Sequence, residues 1–309
     1  MLFRIAINPL LRAMLRLISR AEINVKKYYR VDRMINNLLH VSFKPRFKMW
    51  DHKIMIDGYD LPVRLFAPKV SQTEEVILFF HGGGWVSGTI DSYTKICAHI
   101  AKRTGRRVLS VDYRRAPEYP FPYAVEDCYQ AARELFLYDK PLEASREQVV
   151  LMGDSAGASL AAAVSLMAAD RGEFRVEKQI LLYPSTYNDH SEASPFRSIT
   201  TNGTDYLLTS KKIQDYQDLY VQNKEDRNSP YFAPLISDHL EGQPKTLIIT
   251  AELDPLRDEG EAYGEKLKKF GNDVAVYRIK EALHGFFSFS LQAAQVKQCY
   301  QLINIFLKE

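Results

Sequence analysis

The chain has 309 residues, 46% of them hydrophobic and 26% charged, the ordinary balance of a globular protein long enough to bury a sizeable core. Forty-one basic against 38 acidic residues leave a formal charge of +3, too slight a bias to imply a nucleic-acid partner. Cys97, Cys128 and Cys299 are widely spaced and form no CxxC pair, so they suggest neither a zinc site nor a disulfide framework and point to a reducing, cytoplasmic setting.

Residues 1 to about 45 read as two helices. Met1–Leu17 is apolar, but Arg4, Pro9, Arg12 and Arg16 interrupt it, leaving no apolar run of about 18 residues for a membrane span. No small-residue cleavage site follows, which argues against a signal peptide. Arg12, Arg16 and Arg20 recur every four residues and form one stripe on a helix. Leu10, Leu11, Met14, Leu15, Leu17 and Ile18 fill most of the remaining surface. So broad an apolar arc suits a cap packed on the protein or a helix lying in a membrane interface. The cap is favoured, because three arginines supply only about 3 kcal/mol of attraction to an anionic surface.

A strand pair follows at Lys48–Ile56 and Leu61–Ala67, joined near Asp57–Gly58. From residue 75 onward, apolar runs alternate with helical patterns. The runs are Val76–Phe80, Arg107–Tyr113, Gln148–Met152, Gln179–Tyr183, Thr246–Thr250 and Val274–Ile279. Most lack polar alternation, as strands covered on both faces do. Helical patterns occupy Tyr93–Arg103, Ala124–Leu137, Ala156–Ala169, Glu259–Phe270 and Gln292–Leu307, three of them closed by Gly105, Gly172 and Gly271. Such alternation predicts a mostly parallel, doubly wound α/β sheet. Tyr187 to about Leu240 breaks the series and contains a helix that Ser210 is placed to cap.

The strongest chemical signal is Gly153-Asp154-Ser155-Ala156-Gly157, set between a strand and a small-residue helix. That context is a nucleophile elbow, a turn so tight that glycine is required two positions either side of the serine. His81-Gly82-Gly83-Gly84-Trp85 follows the strand Val76–Phe80. Its glycines let backbone N–H groups approach an oxyanion, with donors expected from Gly83, Gly84 and Ala156. Neither GxGxxG nor GxxxxGK occurs there, which removes the nucleotide-binding readings. His81 is expected to fix the loop rather than act as a base.

An elbow serine is followed in chain order by an acid and then a histidine. Of the histidines after Ser155, His190 and His239 fall in the insertion and its tail, whereas His284 closes the last strand beside Gly285. Asp254 sits at the turn after Thr246–Thr250, with Pro255 placed to start a helix. Glu252 is the competing acid, and Asp258 belongs to the following helix.

These motifs resemble the hormone-sensitive-lipase family of α/β-hydrolases, which includes bacterial carboxylesterases and acetyl esterases. The likeness extends to Asp112-Tyr113-Arg114-Arg115-Ala116-Pro117-Glu118, to Ser229-Pro230 with Ala233-Pro234-Leu235, and to Asp254-Pro255-Leu256-Arg257-Asp258-Glu259-Gly260. It implies an α/β-hydrolase fold over residues 1–309, with cap elements at about 1–45 and 187–240. It also implies no cofactor or metal, and hydrolysis of small esters with short to medium acyl groups. Arg115 stands where the family usually has leucine, and Ala158 and Ser159 where glycine and asparagine are common. An amidase or deacetylase using the same triad, a non-catalytic binding protein on this fold and a membrane-surface lipase are the rival readings. Monomer and homo-oligomer are equally open.

Overall fold

The computed structural model describes residues 24–39, 48–56, 58–71, 73–138 and 149–309. The arginine stripe expected at Arg12, Arg16 and Arg20 lies outside these residues. Apolar, β-branched runs build the sheet: β1 (Lys48–Ile56), β2 (Tyr59–Ala67), β3 (Val76–Phe80), β4 (Arg107–Val111), β5 (Val149–Asp154), β6 (Lys178–Leu182), β7 (Lys245–Leu253) and β8 (Val274–Leu283). Their order across the sheet is β1-β2-β4-β3-β5-β6-β7-β8. β1–β2 and β2–β4 pair antiparallel, and every other neighbouring pair is parallel. β3 and β5 lie at the centre, and all their residues are buried, which is why these runs carry no polar alternation.

Side chains leave the two faces alternately. Leu78, Phe80 and Leu151 pack with α3 (Tyr123–Leu137), α4 (Ala156–Arg171) and α7 (Arg257–Lys269). Ile77, Phe79, Val150 and Met152 pack on the other face with α2 (Thr94–Thr104) and α8 (Ala294–Phe306). Gly105 and Gly172 end α2 and α4 in the left-handed conformation that glycine adopts without a Cβ penalty.

Several boundaries depart from the sequence expectation. The strand expected over Gln179–Tyr183 stops at Leu182, because Tyr183 takes a φ of +37°. β7 and β8 run to Leu253 and Leu283, where those two residues pair beyond a bulge that follows Ala251. Polar residues in these extensions, Glu252, Lys280 and Glu281, concealed them from a hydrophobic count.

Before the sheet, α1 spans Val25–Leu39. Between β6 and β7 lie α5 (Arg197–Asn202), α6 (Ser210–Tyr220) and short 3₁₀ turns. Thr209, not Ser210, caps α6: its backbone is extended and its hydroxyl accepts the Lys212 N–H. Ser210 is already helical and turns its hydroxyl to the Gly203 carbonyl at 3.3 Å. α1 lies against α6, with the Val25 N–H on Asp215 at 3.2 Å and Lys26 on Asp218 at 2.6 Å. Arg33 anchors α1 to the core through the Val86 and Ala116 carbonyls at 2.6 and 2.5 Å and through Glu118 at 2.7 Å.

Candidate active site

The site is assembled at the carboxyl ends of the strands, where side chains after β3, β5, β7 and β8 converge. β5 turns into α4 through Ser155, whose backbone has φ +53° and ψ −124°, a conformation disfavoured for any residue with a Cβ. The Ser155 N–H donates to the Leu182 carbonyl at 2.9 Å and fastens the turn to β6. A Cβ on Gly153 would lie 2.2 Å from the Gly157 carbonyl oxygen, and one on Gly157 would lie 2.0 Å from that of Phe80. Both contacts are with backbone, which cannot move aside cheaply. Gly157→Ala is therefore expected to lower stability by more than about 3 kcal/mol, as overpacking against fixed atoms does. Denaturant unfolding measures this, and a variant as stable as the parent would show the elbow to be looser than described.

Asp254 lies one residue beyond the end of β7 and His284 one residue beyond the end of β8. His284 Nδ1 is 2.7 Å from Asp254 Oδ2, and His284 Nε2 is 2.9 Å from Ser155 Oγ. An ionised carboxylate only accepts, so Nδ1 carries the proton and Nε2 is left to accept from the serine hydroxyl. Asp254 is fully buried, and its other oxygen accepts the Leu256 N–H at 2.9 Å. Glu252, the competing acid, is occupied elsewhere: its carboxylate accepts the Glu281 N–H at 2.7 Å across the bulge. Asp258 accepts from the Ser198 N–H at 2.7 Å. His190 is buried against Glu259 at 2.6 Å.

The loop after β3 carries the two glycines expected to supply oxyanion donors. Gly83 and Gly84 have φ of +119° and +61°, and the Gly83 carbonyl accepts from Val86 and Ser87 at 3.1 and 2.8 Å. Among the described residues no acceptor takes the N–H groups of Gly83, Gly84 or Ala156. His81 is fully buried, stacks on Tyr113 at 4.3 Å and donates from Nδ1 to the Gly82 carbonyl at 2.9 Å. Burial pushes its pKa down to about 4, so the ring is neutral at pH 7 and fixes the loop.

Two residues that motif reading passed over hold this loop to the elbow. Asp154 accepts the Gly82 N–H at 2.8 Å and the Tyr93 hydroxyl at 3.0 Å. Burial raises its pKa to about 6, against the opposing pull of those two donors. The signal was present in the aspartate of the elbow motif itself, which stands next to the serine. The residues that depart from the family pattern lie beside this machinery. Arg115 donates to the Gly88 carbonyl and to Asp112 at 2.7 and 2.8 Å, and Ser159 donates to the Ser185 carbonyl.

A cavity of about 260 Å³ opens over Ser155 and His284. Gly82, Gly83, Gly84 and Ala156 line it beside the two catalytic candidates. Asp32 from α1 and Leu207, Leu208, Ile213 and Tyr216 from the insertion also line it.

A mostly parallel sheet with a serine elbow after β5, an acid after β7 and a histidine after β8 defines an α/β-hydrolase. Residues 77–288 match a family model described as the alpha/beta hydrolase fold, and the chain belongs to that family, on its hormone-sensitive-lipase and carboxylesterase side. It is similar to an arylesterase of Saccharolobus solfataricus, with 32% identity over 94% of this chain and 95% of that protein. An ethyl acetate hydrolase of Pseudomonas putida is 33% identical over 74% of this chain and 72% of its own length. Among solved structures, a hyperthermophilic esterase from the archaeon Pyrobaculum calidifontis superposes with a TM-score of 0.85 at 31% identity, covering 97% of each chain.

Proposed function

We propose that the protein is a serine carboxylesterase that hydrolyses small esters with short to medium acyl groups, with Ser155 as nucleophile, His284 as general base and acid, and Asp254 as the orienting carboxylate. The observation that carries this reading is the unbroken chain Ser155–His284–Asp254 beside N–H groups that have no acceptor of their own. His284 Nε2 takes the hydroxyl proton as Ser155 Oγ attacks the ester carbonyl carbon. The carbonyl oxygen becomes an oxyanion and rests on the Gly83, Gly84 and Ala156 N–H groups, with the N-terminus of α4 adding its dipole. The carbon–oxygen bond to the alcohol then breaks, and His284 returns the proton to that leaving oxygen. Water attacks the acyl-enzyme with the same proton relay, releasing the acid and restoring Ser155.

The cavity is smaller than most drug-sized ligand sites, which run from about 300 Å³ upward, and this favours short acyl chains. The relatives named for aryl esters and ethyl acetate agree with small substrates. α1 and the elements of residues 187–240 act as the cap, since they contribute Asp32, Leu207, Leu208, Ile213 and Tyr216 to the lining of the cavity that holds Ser155 and His284. On p-nitrophenyl esters, kcat/KM is expected to peak between acetate and hexanoate and to fall by more than about tenfold, or about 1.4 kcal/mol, at laurate. A matched p-nitroanilide turned over as fast as the ester would favour the amidase reading instead.

A cytoplasmic location is supported by Cys97, Cys128 and Cys299, all buried free thiols. No helix among the described residues is long and apolar enough to cross a membrane. Binding of residues 1–23 to a lipid surface would show as co-sedimentation with anionic vesicles.

A further inference from the structure

We infer that Asp32, on α1, is a positioning residue for the oxyanion loop, gripping it from both sides; the inference rests on the assignment of Gly83 and Gly84 as oxyanion donors. A single carboxylate oxygen, Oδ2, accepts the Ser87 hydroxyl at 2.7 Å and the Tyr216 hydroxyl at 2.9 Å. Each of those residues bears directly on one glycine, Ser87 through its backbone and Tyr216 through its ring. The Ser87 N–H donates to the Gly83 carbonyl at 2.8 Å, and the Ser87 backbone lies where a Gly83 Cβ would be, 2.4 Å from its carbonyl oxygen. The Tyr216 ring covers Gly84 so closely that a Cβ there would meet its Cγ at 2.5 Å. Ser87 thus backs Gly83, Tyr216 presses on Gly84, and Asp32 holds both in place.

Both glycines adopt positive φ, where a glycine loop has several accessible conformations and little intrinsic reason to keep one. A hydrogen bond to an ionised acceptor is roughly twice as strong as a neutral one, so one carboxylate receiving both hydroxyls is an effective way to hold the loop still. Ser87 belongs to the core, Tyr216 to α6 and Asp32 to α1. The donors are therefore aimed only when α1 and α6 are both seated. Asp32 adds no group to the reacting atoms, and its contribution is to the angle and distance of the N–H groups.

Donors fixed in advance stabilise the tetrahedral oxyanion more than the planar ester, so the test separates the two. Asp32→Ala is expected to lower kcat by about 10- to 100-fold, the scale of a displacement near 1 Å, with KM changed less than about threefold. A trifluoromethyl ketone, which forms a tetrahedral adduct with the serine, should bind more weakly by the same factor as the loss in kcat/KM. The planar acid product should bind as before. Asp32→Asn, which keeps a carbonyl oxygen for the two hydroxyls, should recover most of the loss. Arg33 holds α1 to the core independently, so these variants are expected to fold. If Asp32→Ala does not, the double variant Ser87→Ala/Tyr216→Phe removes both hydroxyls without touching the carboxylate and should show the same selective loss of ketone binding.

Equal weakening of ketone and product, or ketone affinity unchanged while kcat falls, would overturn the positioning role. So would a loss confined to cationic esters, which would make Asp32 a substrate-charge contact. A wild-type protein that a fluorophosphonate fails to label at Ser155 would refute the esterase reading itself, an outcome separate from all of these.

Discussion

Ser155→Ala is expected to abolish ester turnover, lowering kcat by roughly 10⁴–10⁶, and to remove labelling by a fluorophosphonate probe. Both readouts depend on the same atom. Ser155 Oγ lies 2.9 Å from His284 Nε2, and the partly buried Ser155 lines the cavity. Ser185 and Ser288 also line that cavity, but Ser288 donates its hydroxyl to the Gly285 carbonyl at 2.7 Å and Ser185 lies on the segment after β6, outside the elbow. Neither has a strained turn or a helix N-terminus behind it to favour a nucleophile. The fold is expected to survive, because the alanine replaces one oxygen and the serine side chain makes no cap bond to α4. Hydrolysis at the parent rate, with contaminating esterase removed, would place the nucleophile elsewhere.

Asp254→Asn is expected to preserve folding and to lower kcat by up to about 10⁴, the cost of the wrong histidine tautomer in a triad of this kind. The asparagine can turn an N–H toward His284 Nδ1, so the proton moves to Nε2 and that nitrogen no longer accepts from Ser155. Glu252→Gln is the paired control and should change kcat by less than about tenfold, within the range of a residue remote from the chemistry. The amide oxygen of glutamine can still receive the Glu281 N–H that the carboxylate receives now, so the bulge before His284 is retained. Steady-state kinetics on both variants separate the two carboxylates, and the reverse pattern would move the orienting role to Glu252.

The parallel strands were legible in the sequence because burial on both faces removes polar residues from them, and Val76–Phe80 was bounded to the residue. Ser155 was legible for a different reason. Its turn tolerates only glycine at 153 and 157, and a steric demand on backbone leaves a literal trace in the residue types. The carboxyl ends of β7 and β8 were not, since Glu252 and Lys280–Glu281 are polar residues on an edge pair and resemble loop. Asp154, Tyr93 and Asp32 escaped notice because each acts through a long-range hydrogen bond. The separation from Asp32 to Tyr216 is 184 residues, and no local pattern records a partner so far along the chain. His190 stands in the insertion, where no local motif marks a partner for it. The structure gives it a buried hydrogen bond to Glu259, whose second oxygen accepts the Thr186 N–H at 2.7 Å. Burial works against its protonated form, but Glu259 outweighs this and raises its pKa.

The pairing of Leu253 with Leu283 fixes more than a register. Asp254 and His284 are the next residues on two adjacent parallel strands, and such strands run about 4.8 Å apart in every sheet. The span between acid and imidazole is thereby inherited from the most invariant dimension of the architecture. From the insertion, Asn202 adds hydrogen bonds to the Glu252 and Asp254 carbonyls at 3.2 and 3.1 Å, bracing a spacing that the ladder already defines. Segments facing the substrate can be lengthened, shortened or exchanged while the acid–imidazole distance stays where the ladder puts it, so substrate range can change without disturbing that pair.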